Sequence, residues 1–184
     1  GDWSSDVCSS DLVEMLNEGL IKHLFDVQSF DLGAVDSIGK DQAHHEIDAS
    51  FYANPHNKGC IANKLDVVVL SALAIDTDFN VNVLTGSDGI LRGASGGHCD
   101  TAACAKLTVI VSPLTRGRIP CVVDSVKTVI TPGESVDVLV TEIGIAINPR
   151  RVDLIEKFKN INIPVFTIQE LKDKVDSTVG IPDK

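Results

Sequence analysis

The stretch Thr85–Lys106 (TGSDGILRGASGGHCDTAACAK) gathers Gly86, Gly89, Gly93, Gly96 and Gly97 within a few turns of chain. Glycine is placed where backbone must approach a ligand closely or take a positive φ. Successive N–H groups at such a turn, followed by a helix N-terminus, make a cradle for an oxyanion or a phosphate. The candidate catalytic donors are the amides of Gly96, Gly97 and His98. Gly93, Ser95, Asp100 and Asn82 are the candidate contacts to a bound cofactor. The His98 ring can donate to an oxyanion or a carboxylate, or it can satisfy local backbone at a helix start; both readings stay open. Asp100-Thr101 fits an N-cap before the small residues Ala102–Ala105. A glycine-rich loop taken alone is more often a structural turn, and this one matches neither the Walker A nor the dinucleotide pattern.

An anionic ligand also calls for a cation. Arg92 is nearest the loop, with Arg116, Arg118, Arg150 and Arg151 further along the chain; an exposed arginine is ordinarily only a solvated charge. His44-His45-Glu46 suggests metal, but neighbouring residues on a strand face opposite sides, so the pair reads as surface histidines and no metal is expected. Asn54, His56 and Asn57 lie in a turn-like segment. Cys8, Cys60, Cys99, Cys104 and Cys121 show no paired spacing, which suits a reducing compartment.

The elements that must position these groups are short. Val13–Phe25 has the period of an amphipathic helix, and 31–38 adds a turn or two. Leu65–Leu70, Leu107–Val111 and Val136–Val140 are β-branched runs typical of covered strands. Phe79–Leu84 alternates like a half-exposed edge strand, and Cys121–Val123, Thr128–Ile130 and Ile163–Thr167 suggest further short strands. Helices are expected at Arg151–Asn160 and Ile168–Val175, and antiparallel hairpins can join one edge between Leu84 and Ile147. Strands interleaved with amphipathic helices give an α/β layered fold.

Composition narrows the function. With 43% hydrophobic and 23% charged residues, the chain reads as globular. A net charge of −10 argues against binding nucleic acid through phosphates. No apolar run reaches the length of a membrane-spanning helix, so no membrane partner is expected. Residues 1–12 (GDWSSDVCSSDL) resemble the translation of a sequencing-library adapter and are expected to be foreign; the native domain is then 13–184, with an N-terminal domain missing.

Three segments in order carry a resemblance. Gly93–Val111 resembles the G-x-G-G-x-x-D…AK…V-V signature of CoA-transferases. Ala72–Asn82 (ALAIDTDFNVN) resembles their G-A-x-x-V-D-x-x-G-N-I-N stretch, with Phe79 in the glycine's place, and Val129–Glu142 (VITPGESVDVLVTE) resembles their T-x-x-x-G…V-x-x-I-V-T-E stretch. Adding VEMLNEGLIKHLFDVQSFD, EIDASFYANPHNKG and GIAINPRR, the chain is similar to the C-terminal third of the citrate lyase α subunit family. The resemblance implies a Rossmann-like three-layer α/β/α CoA-transferase domain. The implied activity is exchange of acetate for citrate on a thioester of CoA or of the CoA-like prosthetic group of an acyl carrier protein (γ). It further implies a β subunit that cleaves the citryl thioester, a hetero-oligomer, a cytoplasmic location and no covalently bound cofactor. Where many such transferases carry a glutamate nucleophile in Ser-Glu-Asn-Gly, this chain has Gln28-Ser29-Phe30-Asp31, so direct acyl exchange without an enzyme thioester is expected. Another CoA-transferase of the same fold, or a subunit that only docks an acyl carrier, are the alternatives.

Overall fold

Gly19 decides where the first helix stops. The computed structural model describes residues 9–29 and 31–180, and helix α1 runs Ser9–Asn17, well short of the pattern through Phe25. Gly19 takes φ +71. The Leu20 amide then donates to Met15 O at 2.9 Å, and the Gly19 amide to Leu16 O at 3.0 Å. These two bonds form a Schellman stop. The apolar residues beyond it enter strand β1 (Leu24–Asp26), which pairs in parallel with β2 (His44–Glu46). Between them α2 (Leu32–Ser37) starts where the Asp31 carboxylate accepts from Ala34 N at 2.9 Å. Helix α3 (Ala49–Ala53) starts at Asp48 in the same manner and ends at Asn54, before Pro55. Of the opening stretch expected to be foreign, residues 1–8 lie outside the described residues.

From there the chain alternates. Strand β3 (Val67–Ser71) is followed by β4 (Ala74–Asp76) and β5 (Val81–Asn82), then helix α4 (His98–Cys104) and β6 (Leu107–Val111). A hairpin of β7 (Thr115–Arg116) and β8 (Ile119–Pro120) precedes β9 (Val122–Val123). Strands β10 (Val138–Thr141) and β11 (Gly144–Ile147), helix α5 (Val152–Phe158), β12 (Val165–Phe166) and helix α6 (Ile168–Val179) complete it. The main sheet has the order β12-β11-β10-β6-β3, and a smaller sheet has the order β5-β4-β9. Strands β3, β6 and β10 are parallel, and β11 turns back antiparallel on β10. The fold is therefore mixed α/β.

Alternation along β10 separates two cores. Val138 packs with Ile145, Ile147 and Leu154, the last from α5. Leu139 points the other way, into the larger cluster with Ile110, Ile75, Leu171 and Val175. This is the two-residue period of a strand covered on both faces.

The Phe79–Leu84 segment departs from its reading as a half-exposed strand. Only Val81 and Asn82 are strand, and both are buried. The cause is a turn built on the buried Asp76 carboxylate, whose Oδ1 accepts from Asp78 N at 3.0 Å and Asn80 N at 2.9 Å. Thr128–Ile130 forms no strand; the neighbouring Thr131 makes a single antiparallel bridge to Val81 instead. Within the Asp76 turn Phe79 has φ +66, the one non-glycine residue with positive φ among those described. This is the position at which the related pattern carries glycine, and its ring is 1% exposed. Close by, Asn80 Oδ1 accepts from Gly133 N at 2.9 Å, and a Cβ at Gly133 would collide with the Asp78 carbonyl.

Magnitudes decide what Phe79 does. The left-handed conformation costs about 1–2 kcal/mol, whereas truncating a buried phenylalanine loses about 3–5 kcal/mol. Phe79→Gly should therefore lower unfolding stability by about 2 kcal/mol in a urea titration, despite relieving the backbone. A gain in stability would show that the ring contributes less than the strain.

Candidate functional site

In a β–α–β crossover the helix returns antiparallel to its strands, so its first turn lies at the carboxyl end of the strand before it. β3, α4 and β6 form such a unit, and its closing contact is visible. His98, the first residue of α4, places Nε2 2.9 Å from the carbonyl oxygen of Ser71, the last residue of β3. The glycine-rich segment that leads into α4 is thus set at the carboxyl end of β3, where open α/β sheets bind ligands.

Buried polar bonds hold the base of this segment. Asn82 is 3% exposed; its Oδ1 accepts from Leu84 N at 2.9 Å and Thr85 N at 3.0 Å, and its Nδ2 donates to Thr85 O at 2.7 Å. Thr85 Oγ1 pairs with Thr128 Oγ1 at 2.8 Å. Thr85 and Leu91 bridge around a tight turn in which Gly89 takes φ +80. At Gly93 a Cβ would stand 2.7 Å from the Val83 carbonyl oxygen, so only glycine lets the two segments approach. The chain then turns at Gly96 (φ +48) into Gly97, which caps α4 without a side-chain bond.

This geometry sorts the candidate donors. The His98 amide donates to Ser95 O at 3.0 Å and closes the turn. Among the described residues no protein acceptor takes the amides of Gly96 or Gly97. Gly96 is exposed, and Ser95 and Gly97 are half-buried. Helix α4 has only 7 residues, so any anion-binding capacity rests on the turn amides rather than on a long helix dipole. Asp100, expected as its N-cap, lies instead in its first turn, half-buried.

The two readings of the His98 ring separate in favour of local satisfaction. The side chain is 3% exposed, with Nδ1 2.6 Å from Thr131 Oγ1 and Nε2 on the Ser71 carbonyl. A carbonyl can only accept, so Nε2 carries a hydrogen toward Ser71, and Nδ1 shares a hydrogen bond with the Thr131 hydroxyl. The ring is a strut between α4, β3 and the segment bridged to β5. Asn82 is engaged likewise: its carboxamide bonds the backbone of Leu84 and Thr85 and organises the loop base.

The arginines are mostly engaged. Arg92 pairs with Asp88 on the surface, and the Ile90 amide and Arg92 together hold the Asp88 carboxyl below its ordinary value. Arg116 donates to the carbonyls of Ala72 at 2.7 Å and Leu73 at 3.2 Å. Arg151 binds Asp137 at 2.7 Å and Asp153 at 2.9 Å, and its hydrogen bond pushes the Asp153 carboxyl down to about 2. Arg150 stands 3.9 Å from Glu134, and Arg118 is exposed beside the β7–β8 turn. The Asn54 and Asn57 side chains accept from His56 N at 2.9 Å and Gly59 N at 3.0 Å, organising their own loop, while His56 is exposed. His44 and His45 point apart: His44 is buried against Ser37, and His45 stacks on Phe25. Phe30, which occupies the glutamate position, lies outside the described residues.

Sequence reasoning did not place Tyr52 beside Gly97. It stands in α3, and a Cβ added to Gly97 would lie 2.5 Å from its Cε1. The available signal was that it is the chain's single tyrosine, within the EIDASFYANPHNKG segment.

A family model described as citrate lyase, alpha subunit, matches residues 3–184. The citrate lyase alpha chain of Haemophilus influenzae is 54% identical over 181 residues, covering 98% of this chain and 36% of the relative. That of Klebsiella pneumoniae is 56% identical over 171 residues, covering 93% and 34%. A crystal structure described as the citrate lyase alpha subunit of Streptococcus mutans in complex with citrate superposes with a TM-score of 0.91 at 58% identity, covering 95% of this chain and 34% of that one. The chain spans about a third of the length of the curated relatives it matches.

His98→Ala should remove the imidazole's hydrogen bonds to the Ser71 carbonyl and the Thr131 hydroxyl from the core. The expected loss is about 2–4 kcal/mol of unfolding stability, measured in urea. Unchanged stability would mean that the ring is no strut.

Proposed function

We propose that this chain, which belongs to the citrate lyase alpha subunit family, forms the glycine-loop portion of a longer citrate CoA-transferase. The acid is citrate, and the acyl carrier is CoA or the CoA-like prosthetic group of an acyl carrier protein, met as a substrate and not held covalently. In this reading the chain works in the cytoplasm within a hetero-oligomer. Its partners are a β subunit that cleaves the citryl thioester and the acyl carrier protein. We also infer the Rossmann-like three-layer arrangement of the transferase fold, supported by the two cores that β10 separates.

The chemistry needs no metal and no net proton. A citrate carboxylate oxygen attacks the acetyl thioester carbonyl, and the C–S bond breaks to release a thiolate and a mixed citryl–acetyl anhydride. The thiolate then attacks the citryl carbonyl, the anhydride C–O bond breaks, and acetate leaves. Each step passes through a tetrahedral oxyanion. Fixed N–H donors can stabilise such a centre by about 3–4 kcal/mol each. The observation that carries this reading is the Ser95–His98 turn. Among the described residues its Gly96 and Gly97 amides meet no protein acceptor, and it is anchored by a buried histidine. Gly93 lets the acyl carrier approach the backbone, with Ser95 and Asp100 beside it. Arg92 is the nearest cation and would exchange Asp88 for a citrate carboxylate. Phe30 in place of the usual glutamate favours direct attack over an enzyme-bound thioester.

Lengthened to the full span of its relatives, the chain should exchange labelled acetate into acetyl thioester in the presence of citrate; alone it should not. An inactive full-length protein would contradict the assignment. Borohydride with acyl-CoA alone should leave the activity intact, and inactivation would reveal a covalent enzyme thioester. Gly97→Val should lower exchange by about 100-fold or more while the protein stays folded. A fully active variant would remove the turn from the mechanism.

A further inference from the structure

We infer that the full-length protein inserts one more parallel strand between β1 and β3, and so joins the two sheets that end there. The inference rests on the reading of this chain as part of a longer subunit and deepens it. The main sheet ends at β3, and the other sheet consists of β1 and β2 alone. Among the described residues neither β3 nor β1 has a strand on its outer side. Both edges belong to parallel pairs, and parallel sheets are built many-stranded and covered rather than as isolated pairs.

Alternation of hydrogen bonds shows what each edge offers. On a parallel strand every second residue bonds one neighbour, and the residues between them face the other side. The Leu24 amide donates to Ala43 O at 2.9 Å, and Asp26 O accepts from Ile47 N at 2.9 Å. The Phe25 N–H and C=O therefore point away from β2. Asp66 O accepts from Leu107 N at 3.0 Å, which turns the backbone groups of Val67 and Val69 away from β6 in the same way. Burial agrees with open edges. Among the described residues of 9–48 the buried apolar side chains are Leu16, Leu24 and Ala34, and none belongs to the two cores that β10 separates. Val67 is 50% exposed.

The occupant is a strand that precedes α1 in the full-length chain. This chain covers 36% and 34% of its curated relatives, which leaves ample length for it. Helix α1 is then the crossover from that strand to β1, as α4 is from β3 to β6. The sheet becomes β2-β1-new strand-β3-β6-β10, which numbered along the chain is 3-2-1-4-5-6, the doubly wound order. That order reverses between the new strand and β3. Ligands bind at such a reversal, outside the carboxyl ends of the strands. Here that place is beside Ser71 and the turn held by His98. The loop after the new strand is thus the facing wall of the site.

Residue-resolved hydrogen exchange on the full-length protein tests this, with the Ile110 amide of β6 as the reference for a folded sheet. The amides of Phe25, Val67 and Val69 should exchange at least about 1,000-fold more slowly than unprotected amides, and dilution should not change this. Exchange within about 10-fold of the unprotected rate at either edge overturns the inference, since one strand must cover both. Protection lost on dilution would assign the edges to a second copy. Protection seen only with other subunits present would assign them to a partner. Either result overturns the inference. A full-length protein that protects all three amides but exchanges no acetate would contradict the acyl-exchange reading and leave the strand in place.

Discussion

One buried imidazole holds the rest of the site in place. His98 donates to the last carbonyl of β3 and shares a hydrogen bond with Thr131, which in turn bridges Val81 of β5. Three pieces of chain distant in sequence thereby meet at the first turn of α4. Each partner is a buried polar group that would be costly to leave unmatched, so the arrangement is close to all-or-none. The glycine turn before His98 inherits that rigidity although its own residues are small and largely exposed. This resolves a tension in the residues themselves, because a loop rich in glycine is flexible unless something outside it sets its ends.

A fixed turn matters for the proposed chemistry in a specific way. Acyl exchange between a carboxylate and a thioester creates negative charge on oxygen in each of its two steps, and donors help only if they need not reorganise as that charge appears. Two adjacent amides on an anchored turn meet that requirement. The remaining needs, above all the cations for a tricarboxylate, are not met on the loop, whose one arginine is already paired. The chain's relatives are about three times its length, which is where such groups can reside.

Much of the fold was legible because strand and helix periods are local. LTVIV became β6 as read, and the two residues before Pro55 ended a helix. What failed was also physical. Gly19 cut a periodic apolar pattern in two, since a Schellman stop overrides amphipathicity. The Asp76 turn shortened the alternating FNVNVL stretch and buried it. At the site, glycine content located the turn correctly, but residue type could not separate ligand contacts from struts. His98 and Asn82 look chemical in sequence, and in space both side chains are buried and hydrogen-bonded within the protein. Tyr52 was invisible because its relation to Gly97 spans distant segments and leaves no periodic trace.

The most direct test of the central claim follows the backbone amides themselves. The ¹⁵N–¹H signals of Gly96 and Gly97 would be monitored in the full-length protein as citrate and then acetate are added. The expected result is a saturable downfield shift of both amide protons, with the His98 ring nitrogens unchanged in tautomer and in shift. Unmoved Gly96 and Gly97 signals alongside a shifted His98 ring would contradict the claim. They would mean that the histidine, and not the turn, receives the ligand.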